Sequence, residues 1–78
     1  MDSADKKYLQ LIGNNIRRIR ENKTLSQFQL ATECELSKNQ IGRIERAEIA
    51  TTITTLKRIA DVLSVRVEDL IAEATTEA

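Results

Sequence analysis

Apolar residues recur along this chain at three- and four-residue steps, the spacing that keeps one face of a helix against a core. Tyr8 with Leu9, Ile12, Ile16 and Ile19 form the first stripe and predict an amphipathic helix over about residues 5–22, closed by Asn22-Lys23-Thr24. Leu30, Ala31, Cys34, Leu36, Ile41 and Ile44 form a second, interrupted series. A serine stands ahead of each of its halves: Ser26 with Gln29, and Ser37 with Gln40, have capping-box spacing. In that arrangement the hydroxyl and the side chain three residues on satisfy each other's backbone N–H groups. Two short helices are therefore expected at about 26–33 and 37–46, joined by Cys34-Glu35-Leu36. Ala47 to Thr51 reads as a loop, and Thr51 or Thr52 as the next cap. Ile53, Leu56, Ile59, Ala60 and Leu63 then face inward from a fourth helix. Ser64–Arg66 turn into a short fifth helix carrying Val67, Leu70 and Ile71, before a polar, fraying tail from Glu73.

The polar positions left between these stripes carry the chemistry. A turn of three or four residues makes its two helices cross sharply and requires a small residue at the contact, which Ala31 supplies. The third helix then exposes Lys38, Asn39, Gln40 and Arg43 along one edge. Lys and Arg donate to guanine O6 and N7, and Asn and Gln pair with adenine N6 and N7, so these four are the expected base readers in a major groove. Gln27 opens the second helix, where its side chain and free backbone N–H groups suit a phosphate, or where it simply starts the helix. Arg46, Thr51 and Thr52 follow the reading helix and are candidate phosphate contacts on its other flank, although capping alone also accounts for the threonines. Gly42, inside the third helix, either admits a close backbone approach or relieves crowding beside the second helix.

Composition narrows the picture. At 78 residues the chain is one domain, residues 1–78 with an ordered core of about 5–72, near the lower limit of what one core stabilises. No proline and only two glycines leave little turn punctuation for a sheet, so an all-α fold of five helices is expected. One cysteine, Cys34, and no histidine exclude an intrachain disulfide, a zinc-type ligand set and an imidazole-based triad. No enzyme activity, metal, cofactor or small-molecule ligand is expected. No apolar run reaches the length of a membrane span, and MDSADKKY has no secretory apolar segment, which points to the cytoplasm.

Formal net charge is zero, but its distribution is uneven. Residues 6–23 carry six cations against Glu21 alone, net +5, and residues 37–58 are net +3. Residues 59–78 are net −4. A local basic face, not the total, is what nucleic acid meets.

SQFQLA, LSKNQIGRIERAE and TTITTLKRIADVL together resemble the Xre-type helix-turn-helix family of phage lambda and 434 repressors, Cro proteins and restriction–modification controller proteins. The resemblance spans about residues 9–71. It implies a compact five-helix lambda-repressor-like domain that binds double-stranded operator DNA, usually as a symmetric dimer. It carries base reading onto Lys38, Asn39 and Arg43, with Gln40 adjacent, and a phosphate contact onto Gln27. It also implies a structural ion pair between Arg20 and Glu45. Five positions depart from the family pattern. Glu35 stands where glycine is preferred in a left-handed turn, and Ala47 replaces the usual glycine or asparagine. Glu48-Ile49-Ala50 fills a loop that is more often basic or proline-containing.

The expected function is thus a sequence-specific transcriptional regulator, a homodimer on a palindromic operator. Val67, Leu70 and Ile71 are the candidate dimer interface, with core packing an equal reading for Leu70. The rival is an antitoxin-like or anti-repressor interaction module on the same fold, for which Phe28 is a candidate anchor, although such a residue more often folds onto neighbouring side chains.

Overall fold

The computed structural model describes residues 3–73. These form five helices: α1 Ser3–Asn22, α2 Gln27–Cys34, α3 Lys38–Glu45, α4 Ile53–Leu63 and α5 Val67–Ile71. Among the described residues there is no strand. The tail beyond Glu73 lies outside them.

Both capping boxes are formed. Ser26 Oγ accepts from Gln29 N at 3.0 Å while Ser26 N donates to Gln29 Oε1 at 2.7 Å. Ser37 Oγ accepts from Gln40 N at 3.0 Å, and Ser37 N donates to Gln40 Oε1 at 3.3 Å. Thr52, not Thr51, caps α4 through its hydroxyl on Thr55 N.

The first four helices end in one way. Thr24, Glu35, Ala47 and Ser64 each adopt a left-handed conformation, with φ between 57° and 61°. The next residue donates its N–H five residues back: Leu25 to Arg20, Leu36 to Ala31, Glu48 to Arg43 and Val65 to Ala60, at 2.8–3.1 Å. These are Schellman closures, in which an apolar residue after the left-handed one usually folds back onto the helix. Leu25, Leu36 and Val65 do so and pack against the core. Glu48 is the exception. None of the four left-handed positions is glycine, so each side chain bears a steric cost of about 1–2 kcal/mol. Glu35 is exposed and its side chain packs against nothing in the core. Glu35→Gly is therefore expected to stabilise the fold by about 1 kcal/mol, a rise of roughly 4–8 °C in melting temperature by circular dichroism. An unchanged or lower melting point would contradict this.

Ile16, Leu30, Ala31, Cys34, Ile41, Ile44, Leu56, Ile59, Ala60, Leu63 and Leu70 make one core shared by all five helices. Burial pushes the Cys34 thiol upward, so it sits in this core as a small protonated apolar group. Ile53 does not join it. On a helical wheel Ile53 lies at the edge of the α4 stripe, in the first turn, and it is 64% exposed. Tyr8 likewise stays on the surface, leaving Leu9 to carry that turn of α1.

Two residues of α1 fix its neighbours. Gly13 lies against the end of α3, where a Cβ would stand 2.5 Å from the Glu45 carbonyl oxygen and 2.7 Å from that of Ile44. Asn15 is buried, and its Nδ2 donates to the carbonyls of Leu70 at 2.9 Å and Ala72 at 2.8 Å. It closes the C-terminal end of α5, whose last carbonyls have no partner within the helix. Leu70 is fully buried beneath this closure. Its side chain is spent on the core and offers no surface to a second copy, so it leaves the expected dimer interface to Val67 and Ile71.

Candidate nucleic-acid interface

The buried frame of the site is a polar cluster under α3. Arg20 reaches from α1 with its Nε 2.7 Å from Glu45 Oε2 and one terminal nitrogen 3.0 Å from Glu45 Oε1. Its other terminal nitrogen donates to the Leu25 carbonyl at 2.8 Å. Gln27 Nε2 completes the cluster, donating to Glu45 Oε1 at 3.0 Å. Arg20 and Glu45 are each only 7% exposed. The hydrogen bonds to Glu45 hold the Arg20 guanidinium above its ordinary pKa, outweighing the opposing effect of burial. Charges removed from water at this depth are tolerable only when so fully bonded. Among the described residues no buried side-chain polar atom lacks a partner. The cluster joins α1, the start of α2 and the end of α3, so it sets the orientation of α3.

The exposed edge of α3 lies above this frame. Lys38, Asn39, Gln40 and Arg43 are all exposed, three on the first turn and Arg43 one turn on. Gln40 is partly committed, because its carbonyl oxygen accepts from Ser37 N in the capping box. Gln27, Lys38, Asn39, Gly42 and Arg46 line a shallow open depression beside this edge. Gly42 forms its floor. A Cβ there would meet the Arg46 guanidinium at 2.9 Å and Gln27 Oε1 at 3.6 Å, both side-chain ends and neither of them backbone. Gln27, half-buried, keeps a second Nε2 hydrogen for a ligand after bonding Glu45.

The loop after α3 is more cationic than its sequence suggests. Glu48 accepts from Arg46 Nε at 2.8 Å and from an Arg46 terminal nitrogen at 3.4 Å. Arg43 Nε is 3.7 Å from the same carboxylate. Lys6 comes down from α1 and donates to the Ala47 carbonyl at 3.4 Å. The hydrogen bond from Arg46 holds the Glu48 carboxyl below its ordinary pKa, helped by the charges of Arg46, Arg43 and Lys6. Arg46 is raised in turn, first by that hydrogen bond. Thr51 is half-buried, and Thr52 is occupied by its cap.

Five helices, with α2 and α3 joined by only three residues and an exposed polar edge on α3, make a helix-turn-helix. The family model for that motif matches residues 16–70. The chain belongs to the HTH_3 helix-turn-helix family. It is 33% identical over 64 residues to the immunity repressor protein of Bacillus phage phi105, a match covering 82% of this chain and 44% of that protein. It is 36% identical over 62 residues to control protein C.BamHI of Bacillus amyloliquefaciens, covering 78% of this chain and 76% of the relative. The solved restriction–modification controller protein C.AhdI of Aeromonas hydrophila superposes with a TM-score of 0.78 at 27% identity, over 80% of this chain and 94% of its own. The chain thus spans less than half of the phage repressor but most of each controller protein. No helix among the described residues is long and apolar enough to cross a membrane.

The sequence pattern passed over three residues of this HTH_3 domain. Asn15 lies mid-helix among polar neighbours and bonds carbonyls 55 and 57 residues away, which no local pattern announces. Gly13 gave no sign of the backbone it faces. Glu48 departs from the family pattern as an acid in a usually basic loop, and its pairing with Arg43 and Arg46 had no signal in the sequence.

Proposed function

We propose that this chain is a sequence-specific DNA-binding transcriptional regulator that lays α3 in the major groove of a palindromic operator as a homodimer. The exposed row of Lys38, Asn39 and Arg43, on a helix whose angle is locked by the buried Arg20–Glu45–Gln27 cluster, carries this reading. Its chemistry matches purine edges: cations for guanine O6 and N7, an amide for adenine N6 and N7. Gln40 stands beside them, limited by its cap. On the α2 side, the free Gln27 amide hydrogen and the N–H groups of the first turn suit one phosphate. On the other side Arg46 suits a second, with Thr51 and Thr52 secondary. The regulators among its relatives, a phage repressor and two controller proteins, support the assignment.

For the dimer, Ile71, 46% exposed, and half-buried Val67 remain at the acidic end of the chain, away from the α3 edge in sequence and opposite to it in charge. Paired half-sites would then lie about 34 Å apart. Light scattering at tens of micromolar is expected to give twice the chain mass, and a purely monomeric species would remove the dimer from the account.

A protein-interaction module remains the second reading because Phe28 is 65% exposed on α2, next to Gln27. Salt separates the two. Binding of duplex DNA, followed by fluorescence anisotropy across a salt series, is expected to weaken steeply, with log K falling by about 0.9 per phosphate neutralised. Absence of DNA binding at low salt would leave the interaction module standing.

A further inference from the structure

We propose that Glu48 is a specificity-determining residue of the DNA interface, holding Arg43 and Arg46 away from indiscriminate phosphate contact while leaving Arg43 free to read a base. The inference rests on the functional reading above.

Its first support is position. Glu48 follows the left-handed Ala47 in the closure of α3, the place that Leu25, Leu36 and Val65 fill after α1, α2 and α4. Those three turn into the core, which is what stability alone selects there. Glu48 turns outward, 46% exposed in its side chain, and faces the two arginines of the reading helix and its cap.

The second support is the geometry of the pairing. Glu48 approaches Arg43 from the Nε side, at 3.7 Å. That leaves the two terminal nitrogens, the pair that forks onto guanine O6 and N7, uncommitted. Arg46 is engaged through both Nε and one terminal nitrogen, so it has less left to offer.

These contacts act differently on the two kinds of DNA. Any duplex presents phosphates, and toward them both arginines must leave Glu48, whose charge then repels the backbone. On a cognate site Arg43 binds a base with its terminal nitrogens and keeps the carboxylate at its back, so only Arg46 has to leave Glu48 for its phosphate and Glu48 opposes that complex less. The acid thus penalises random DNA more than the operator. Pairs this exposed are weak, so the penalty is modest and the arginines remain exchangeable.

The test compares wild type, Glu48→Gln and Asp61→Asn on two duplexes, one selected by the wild type from a random pool and one of scrambled sequence. Asp61→Asn removes one negative charge from an exposed α4 pair with Lys57 and serves as the matched control. Glu48→Gln is expected to bind scrambled DNA roughly three- to ten-fold more tightly in about 0.1 M salt, with a salt slope steeper by about one. Affinity for the selected duplex should rise less, so that discrimination falls at least about twofold. Wild-type discrimination and slope in Glu48→Gln, or equal changes in Asp61→Asn, would overturn the inference while leaving the functional reading intact. A wild type that enriches no sequence would overturn that reading, and this inference with it.

Discussion

Glu45→Ala is expected to cost about 3–5 kcal/mol of stability, because it leaves the buried Arg20 without the carboxylate that pairs with it in the interior. The guanidinium would lose both contacts to the carboxylate and keep the Leu25 carbonyl and a looser approach to Glu21 at 3.8 Å. Gln27 Nε2 would lose its acceptor as well. A domain of this length has a total stability of order 4–12 kcal/mol, so the loss is a large part of the whole. In melting temperature it amounts to at least about 12 °C. The effect is the cost of breaking the pair and does not measure the pair's net contribution. Replacing both partners by apolar residues, Arg20→Met with Glu45→Met, is accordingly expected to lose less than Glu45→Ala alone. Thermal melts of the three proteins decide the matter. A Glu45→Ala melting point within 2–3 °C of wild type (roughly half a kcal/mol for a domain of this size) would show that the cluster does not hold α3.

Gly13→Ala is the second large effect, and its sign is opposite to helix propensity. An alanine inside an exposed helix gains about 1 kcal/mol over glycine. Here the added methyl would meet the carbonyl oxygens of Glu45 and Ile44 at 2.5 and 2.7 Å and the Glu45 carbonyl carbon at 2.9 Å. Backbone cannot swing aside as a side-chain end can, so α1 must move off α3. A backbone clash this close falls at the upper end of the roughly 1–3 kcal/mol that overpacking costs, and the propensity gain of about 1 kcal/mol leaves a net loss of about 2 kcal/mol. The displaced helix carries Arg20, so the ion pair should loosen with it. Gly42→Ala offers the contrast. Its nearest obstacle is the end of the Arg46 side chain, which can yield, and the helix should tolerate the methyl. Denaturant melts showing Gly13→Ala as stable as wild type would place α1 farther from α3 than described.

How much of this was legible in the sequence follows from the range of each interaction. The helix stripes and both capping boxes are local, fixed by residues within four positions of each other, and the chain displays them openly. Helix boundaries fell within about two residues, α1 beginning at Ser3 and α3 ending at Glu45. Glu35 stands where the family resemblance marks a left-handed turn and is left-handed; Ala47, in place of the usual glycine or asparagine, is left-handed too. Arg20 and Glu45, 25 residues apart, were linked only through that resemblance, since periodicity gives their faces but not their meeting. Long-range polar contacts were the blind spot. Asn15 closes α5 and Gln27 joins Glu45 across separations that no spacing rule covers. Ile53 misled for the reverse reason: its apolar character and spacing suited the stripe, but it stands at the edge of that stripe and stays 64% exposed while Leu56 in the same turn is buried. Leu70 belonged to the core because a five-residue helix has only one strongly buried position to give.

The site divides along the same line. Lys38, Asn39 and Arg43 were readable as an exposed row because their neighbours Ile41 and Ile44 declare the buried side of the same helix. The state of the loop beyond them was not, since Glu48 meets Arg46 and Arg43 only after Ala47 turns the chain left-handed.

Selection of bound duplexes from a random pool, with the wild type and Arg43→Ala in parallel, tests the central claim most directly. The wild type is expected to enrich a two-fold symmetric sequence. Arg43→Ala should lose preference at one base pair of each half-site, about 1–3 kcal/mol, and keep the rest. Failure of the wild type to enrich any sequence, or uniform weakening by Arg43→Ala at every position, would contradict direct readout by α3.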